Sequence, residues 1–250
     1  MLSRLILASL VICGGAAAAL VEVGPAVGFD ARPPGDADPV FGLSLTMHVG
    51  PASVYVRGAL MPTDSGDSST ATYKDEWERR YYSADLTPVV AFGDEETAPV
   101  AGVNFRQSRF EDYTYEGGEK QLIPFPLEYS NGETTCQRIL ALGGLKFGND
   151  EGLSGVAWGG VGVALHKRSG TAWTETLPPE QARVTWSLDD DWKTIEVAAA
   201  AAATYEVSKH FGISGAFELT NRVATMDGDD ETPSGRPFGF ALFFAPVFML

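Results

Sequence analysis

The chain has 250 residues and carries 33 acidic against 18 basic side chains, a formal net charge of −15. So acidic a protein repels phosphate backbones, which argues against nucleic acid as a partner. Its two cysteines, Cys13 and Cys136, allow at most one internal disulfide.

Residues 1–19 open with Arg4, continue through the apolar run Leu5 to Ile12 and end in the small residues Gly14 to Ala19. This is the pattern of a secretory signal peptide cleaved after Ala19, and the apolar run is too short to cross a membrane as a helix. Residues 20–250 are expected to form one domain. Loss of the leader leaves 17 basic against 33 acidic side chains, a charge of −16, and Cys136 as the remaining cysteine. No internal disulfide is then available, so packing and hydrogen bonding must hold the fold.

Ten segments with a strand-like period of two follow in chain order: 20–30, 39–49, 53–61, 81–92, 100–111, 136–147, 153–166, 194–207, 211–223 and 237–250. The second sets Phe41, Leu43, Leu45, Met47 and Val49 against Gly42, Ser44, Thr46 and His48. The fourth sets Tyr82, Ala84, Leu86, Val90 and Phe92 against Ser83, Asp85 and Thr87. The seventh, with Val156, Trp158, Val161, Val163 and Leu165, is ambiguous in phase. In the eighth, Ala198 to Ala203 favours helix by intrinsic propensity. There Ile195, Val197, Tyr205 and Val207 keep the alternation, so a strand is predicted. The ninth sets Phe211, Ile213, Phe217 and Leu219 against Gly212, Ser214, Glu218 and Thr220. The tenth places a large apolar side chain at every second position from Phe238 to Leu250. Pro25, Pro88 and Pro246 fall inside predicted strands, where each removes a ladder donor.

The connections alternate in length. Segments 31–38, 62–80, 112–135, 167–193 and 224–236 are long, whereas 50–52, 93–99, 148–152 and 208–210 are short. Ten antiparallel strands with both termini on the short-turn side give this alternation. Transmembrane barrels have short turns at one end, longer loops at the other, an even strand number and an apolar outer face. The predicted fold is therefore all-β, a closed antiparallel up-and-down transmembrane β-barrel of about ten strands.

The strand–turn–strand segment Tyr205 to Arg222 (Y-E-V-S-K-H-F-G-I-S-G-A-F-E-L-T-N-R) and the greasy terminal strand Phe238 to Leu250 carry a family likeness. They resemble the closing hairpin and last strand of small Gram-negative outer-membrane β-barrel proteins, the broad porin-like and OmpA-like or OmpW-like grouping. The resemblance implies residence in the outer membrane after signal-peptide removal, with outer-membrane lipid as the partner. It contains no catalytic motif, so it transfers no functional residue.

The inward phase gives a set of expected lumen-lining charges: Glu22, Arg57, Asp85, Arg106, Arg138, Lys146, Glu196, Glu206 and Glu218, with His48 and His166 beside them. Inside a narrow barrel such charges must pair or meet water. Aromatics fall at strand ends. Phe92, Phe147, Tyr205, Phe211 and Phe248 lie on the short-turn side, and Phe29, Phe41, Tyr82 and Phe238 on the long-loop side. Two aromatic girdles at headgroup depth are expected from them. The long connections carry acidic clusters: Asp64, Asp67, Asp75, Glu76 and Glu78; Glu111, Asp112, Glu116 and Glu119; Asp189, Asp190 and Asp191; and Asp227, Asp229, Asp230 and Glu231. They lack the spacing of an EF-hand loop and are expected to be solvated charge.

These features lead to a structural or narrow-pore barrel with a weak cation preference. No enzyme activity, metal or cofactor is expected, and small cations or solutes are the soluble partners. Two alternatives remain open from sequence. One is a barrel enzyme acting on lipid or peptide, for which His166 at the outer end of the seventh strand, with Ser169 or a loop acid, is the one buildable site. The other is a soluble periplasmic ligand-binding barrel with its apolar face turned inward.

Overall fold

The computed structural model describes residues 20–31, 38–69, 73–93, 96–120, 123–148, 152–176, 182–227 and 238–250. The signal-peptide reading of 1–19 and the acidic residues Asp229, Asp230 and Glu231 lie outside them. The strands are β1 (Leu20–Asp30), β2 (Asp38–Val49), β3 (Ala52–Ser69), β4 (Tyr73–Ala91), β5 (Thr97–Lys120), β6 (Ile123–Gly148), β7 (Leu153–Glu175), β8 (Arg183–Ser187), β9 (Asp190–Ser208), β10 (Phe211–Asp227) and β11 (Phe238–Met249). All but β8 form a closed ten-stranded antiparallel barrel, and the described residues contain no helix. Neighbours in sequence pair around the ring, β7 passes to β9, and β11 returns to β1. The short β8 pairs with the far end of β7, from Thr171↔Ser187 to Glu175↔Arg183.

The long connections expected at one end are largely strand. β3 and β4 stay paired out to Ser69↔Lys74, β5 and β6 to Lys120↔Ile123, and β6 and β7 to Leu127↔Glu175. The acidic residues at 64–78 and 111–119 therefore stand on a β-wall that projects beyond the barrel, and not on loops. Cross-strand hydrogen bonding continues because each backbone group there still needs a partner.

The alanine run lies within β9. It faces Gly159 and Gly160 of β7 on one side and Phe217 and Leu219 of β10 on the other. Two hydrogen-bonded neighbours outweigh helical propensity, and small side chains leave room for Trp158, paired with Ala200. The prolines sit where ladders lapse. The β1–β11 pairing runs through Val23↔Phe248 and resumes at Val27↔Phe244. That register sets Pro25 opposite Pro246, two residues with no N–H to donate. Gly24 lets the strands close here, since a Cβ on it would lie 1.8 Å from the Pro246 carbonyl oxygen.

Side-chain phase is regular. In β11, Phe238, Phe244 and Phe248 are about half exposed, while Ala241, Phe243, Ala245 and Val247 are buried inside. In β7, Val156 and Trp158 point inward and Val161, Val163 and Leu165 outward, which is why its sequence looks two-faced. The inner face is not polar throughout. Val89, Val100, Leu140, Leu142, Val156 and Trp158 pack together in the half of the bore nearer the short turns. Val40, Met61, Tyr81 and Phe243 form a second inner cluster, with Phe110 against it.

Phase can be tested at two adjacent phenylalanines. Phe243→Ala empties a packed inner site and should cost about 3–5 kcal/mol in equilibrium urea unfolding. Phe244→Ala, on the outer face, should cost less than half as much. Equal losses would contradict the inward–outward assignment.

Candidate functional site

The centre of the bore is organised by Arg138 of β6, which is 1% exposed. Its Nη2 donates to Glu218 Oε1 at 2.6 Å and to Asn104 Oδ1 at 2.8 Å. The carboxylates of Asp85 and Glu196 each approach it at 3.9 Å. Asn104 donates to Thr87 Oγ1 at 2.8 Å. Five strands, β4, β5, β6, β9 and β10, thus converge on one guanidinium. The planar fork of arginine suits it to several acceptors at once, which a lysine ammonium would not match.

Towards the long-strand end, Arg106 donates to the Tyr81 hydroxyl and lies 3.9 Å from Asp30. Tyr81 in turn donates to Asp30 at 3.2 Å. Towards the short turns, Glu22 accepts from Thr204 at 2.8 Å and lies 3.4 Å from His48. Arg57 stacks its guanidinium 4.6 Å above the Phe243 ring. Lys146 is half-buried beside a cavity of about 40 Å³ that also touches Glu22, His48 and Tyr55. A second cavity of about 30 Å³ lies between Arg57, Asp85, Asn104, Trp158 and Glu218. Each has room for a few water molecules and no more. Glu206 keeps the inward phase but is exposed at the short-turn end, where its N–H donates to the Gly152 carbonyl at 2.8 Å. The named charges therefore divide. Asp85, Arg138, Glu196 and Glu218 share one network, Arg106 and Glu22 belong to neighbouring groups, and Glu206 stands outside.

His166 does not end its strand, because β7 runs on to Glu175. It is buried, stacked flat on Trp192 with ring centroids 4.9 Å apart, and hydrogen-bonded through Nε2 to Thr194 Oγ1 at 3.1 Å. Glu196 lies 3.7 Å from the same nitrogen. Ser169, three residues on in a regular strand, occupies the opposite face, so the structure does not bring the two together. The residue directly across from His166 is Cys136, also buried. Sequence reading missed Asp30, Asn104 and Thr194, and it noted Cys136 only as the remaining cysteine. Asp30 shares the phase of Glu22 and could have been found. The others carry no charge and gave no signal.

On the outer surface the register sorts residues by height. The row Phe105–Ile139–Val163–Ile195 is apolar, and the rows between it and the short turns are uncharged, with Thr97 the one polar residue on these four strands. The next row up is Gln107–Gln137–Leu165–Lys193, followed by Arg109–Thr135–Lys167–Asp191. From Ile139 to Phe147 the outward face of β6 carries no charge, nine residues along the strand. That is close to the ~9–11 residues a tilted strand needs to cross a bilayer core. All the aromatics named for the two girdles have the outward phase, and Phe211 and Phe248 meet edge to face at 6.1 Å.

Above these rows, Asp112 lies half-buried on the inner face of the projecting wall. Gly132 across from it leaves space that Leu188 and the Asp112 carboxylate share. Desolvation raises the Asp112 pKa above the usual carboxylate range, although Arg168 and Arg79 pull it down.

No family model and no curated protein matches the chain. Among solved structures, the outer-membrane protease OmpT from Escherichia coli superposes with a TM-score of 0.51 at 10% identity, covering 92% of this chain and 94% of that one. Ail, the attachment invasion locus protein of Yersinia pestis, superposes at 0.35 with 11% identity over 92% of this chain and 96% of its own. The chain has the fold of small outer-membrane β-barrel proteins.

Three substitutions test the site. Arg138→Met removes the cation shared by Asp85, Glu196 and Glu218, and loss of one partner from a buried ionic cluster costs about 3–5 kcal/mol. Glu218→Gln keeps a hydrogen-bond acceptor and should cost less in the same urea titration. Arg168→Met removes a cation that holds Asp112 down, so an NMR titration should show the Asp112 pKa moving further up. A downward move would contradict the assignment of causes.

Proposed function

We propose that the protein is an outer-membrane β-barrel with a structural role, closed to solute flow, that anchors an acidic β-wall outside the cell. The observation that carries this reading is the combination of an uncharged apolar outer band with a bore filled by the Arg138 network and the Trp158 cluster. Apolar side chains turned outward around a closed ring match hydrocarbon and not water, because closure leaves no backbone group unpaired in lipid. The two aromatic rings then serve as interfacial anchors. A soluble ligand-binding barrel would need the reverse phase.

A pore reading requires a continuous aqueous path, and cavities of about 40 and 30 Å³ do not supply one. If breathing of the Arg138 network opens a path, the acidic outer wall favours cations. That preference fades as salt shortens the Debye length from ~8 Å. A second reading, hydrolysis of peptide or lipid, draws on the likeness to a fold that carries a protease and on the buried Cys136–His166–Glu196 alignment. A fold hosts many functions, and although His166 borders a cavity of about 480 Å³, Ser169 lies on the opposite face and Cys136 and Glu196 are buried, so the structural reading is preferred.

Purified protein should insert into lipid vesicles, shift its gel mobility on heating, and show no steady current in planar bilayers. Robust steady conductance would overturn the closed-bore reading. Failure to insert would overturn the membrane reading. Hydrolytic activity lost in His166→Ala would favour the enzyme.

A further inference from the structure

The inner face of the projecting wall holds a cavity of about 410 Å³. Its position is set by the register. One cross-strand row reads Thr114–Ser130–Ala172–Trp186, and the next row, farther from the membrane, reads Glu116–Glu128–Thr174–Val184. Both rows share the phase of Asp112, so they turn over the mouth of the bore and away from lipid. Ser130 lies nine residues beyond Ile139 along β6. At a strand tilt of about 45° that is roughly 20 Å above the last apolar row, clear of the headgroup layer. Ala172, itself buried, lines the cavity, and Trp186 lines it with 44% of its surface exposed. The side chains of Thr114, Glu128, Ser130 and Thr174 make no hydrogen bond or ion pair with any other described residue. Arg168, whose charge acts on Asp112, adds N–H donors at the end nearer the membrane.

We infer that this cavity binds a neutral saccharide, one or two pyranose rings of a glycan outside the cell. The inference rests on the outer-membrane reading, which puts the wall in the external medium. A sugar ring presents an apolar C–H face and a rim of hydroxyls that both donate and accept. Trp186 and Ala172 match the first, since an exposed indole is large and rigid enough to stack on it. Glu116 and Glu128 accept from hydroxyls, Thr114, Ser130 and Thr174 both donate and accept, and Arg168 donates. An organic cation would use the two carboxylates, but it would be opposed by Arg168 and would leave the hydroxyls idle. The volume falls within the ~300–1,000 Å³ of small-molecule sites.

The test applies full-length protein in phosphatidylcholine nanodiscs to a printed array of neutral gluco-, galacto- and manno-configured oligosaccharides, with sulfated glycans alongside. The strongest neutral binder is then titrated as the free sugar by saturation-transfer NMR. The wild type should bind neutral glycans in preference to sulfated ones, which the acidic wall repels. Trp186→Ala should weaken binding about tenfold, the worth of one aromatic stack. Glu128→Ala should weaken it by about tenfold or more, through loss of a charge-assisted hydrogen bond. Glu76→Gln, on the outer face of the wall, should bind as the wild type does. Unchanged heat-modifiable mobility shows that the variants are folded and inserted. Inserted wild type that binds no neutral glycan, or equal binding by Trp186→Ala and Glu128→Ala, overturns the inference while leaving the membrane reading intact. Displacement of the sugar by equimolar spermidine overturns it in favour of a cation site. Failure to insert overturns the membrane reading itself, and the same array run on protein in detergent then decides the binding separately.

Discussion

Closure of the hydrogen-bonded ring is the constraint on which everything else depends. A strand surrounded by hydrocarbon has no water to satisfy its N–H and C=O groups, so each must find another strand on both sides. The ring is completed at β1 and β11, the two ends of the described barrel, with Leu250 N–H donating to the Val21 carbonyl at 2.8 Å. The seam is tight at Gly24 and Gly28, where a Cβ would lie within 2 Å of a carbonyl oxygen on β11. Pro25 and Pro246 interrupt the ladder where the register sets them face to face, so the two missing donors coincide.

Once the ring closes, every second side chain is committed to a small interior. That interior has to absorb charges, because the same strands supply Asp85, Arg106, Arg138, Glu196 and Glu218 on their inner phase. Isolated, each would be too costly to bury. Most gather about Arg138, with Arg106 beside Asp30 and Tyr81, and they tie together strands that are distant in sequence, as in the Arg138–Glu218 contact between β6 and β10. Trp158, Leu140 and Leu142 fill the adjoining space with apolar volume. A cylinder with side chains packed through its bore results, and the outer β-wall is a continuation of its strands rather than a set of appended loops.

How far the fold was legible follows from where alternation has contrast. Within the hydrocarbon band one face is apolar and the other polar or small, so the predicted limits 20–30, 39–49 and 211–223 fall close to β1, β2 and the membrane part of β10. Beyond the band both faces of a strand meet water. The segments 62–69, 112–120 and 167–175 are polar on both sides, and the period of two vanishes from the sequence although the strand continues. β8, with Val184 and Trp186 exposed, escaped for the same reason. In the site, charge was legible and neutral partners were not. Arg138 and Glu218 announce themselves on the inward phase, but Asn104, Thr87 and Thr194 matter only through register. His166 misled because its strand was ended too early, which put a buried ring at an imagined rim.

The central claim is that β11 turns its even-numbered side chains to lipid and its odd-numbered ones to a filled bore. Single cysteines placed in a Cys136→Ser background at 240 through 245, spin-labelled and reconstituted in bilayers, measure this by accessibility to molecular oxygen. The account predicts high lipid accessibility at 240, 242 and 244 and low accessibility at 241, 243 and 245. The opposite phase, or labels equally exposed to an aqueous nickel relaxant at all six positions, would contradict it.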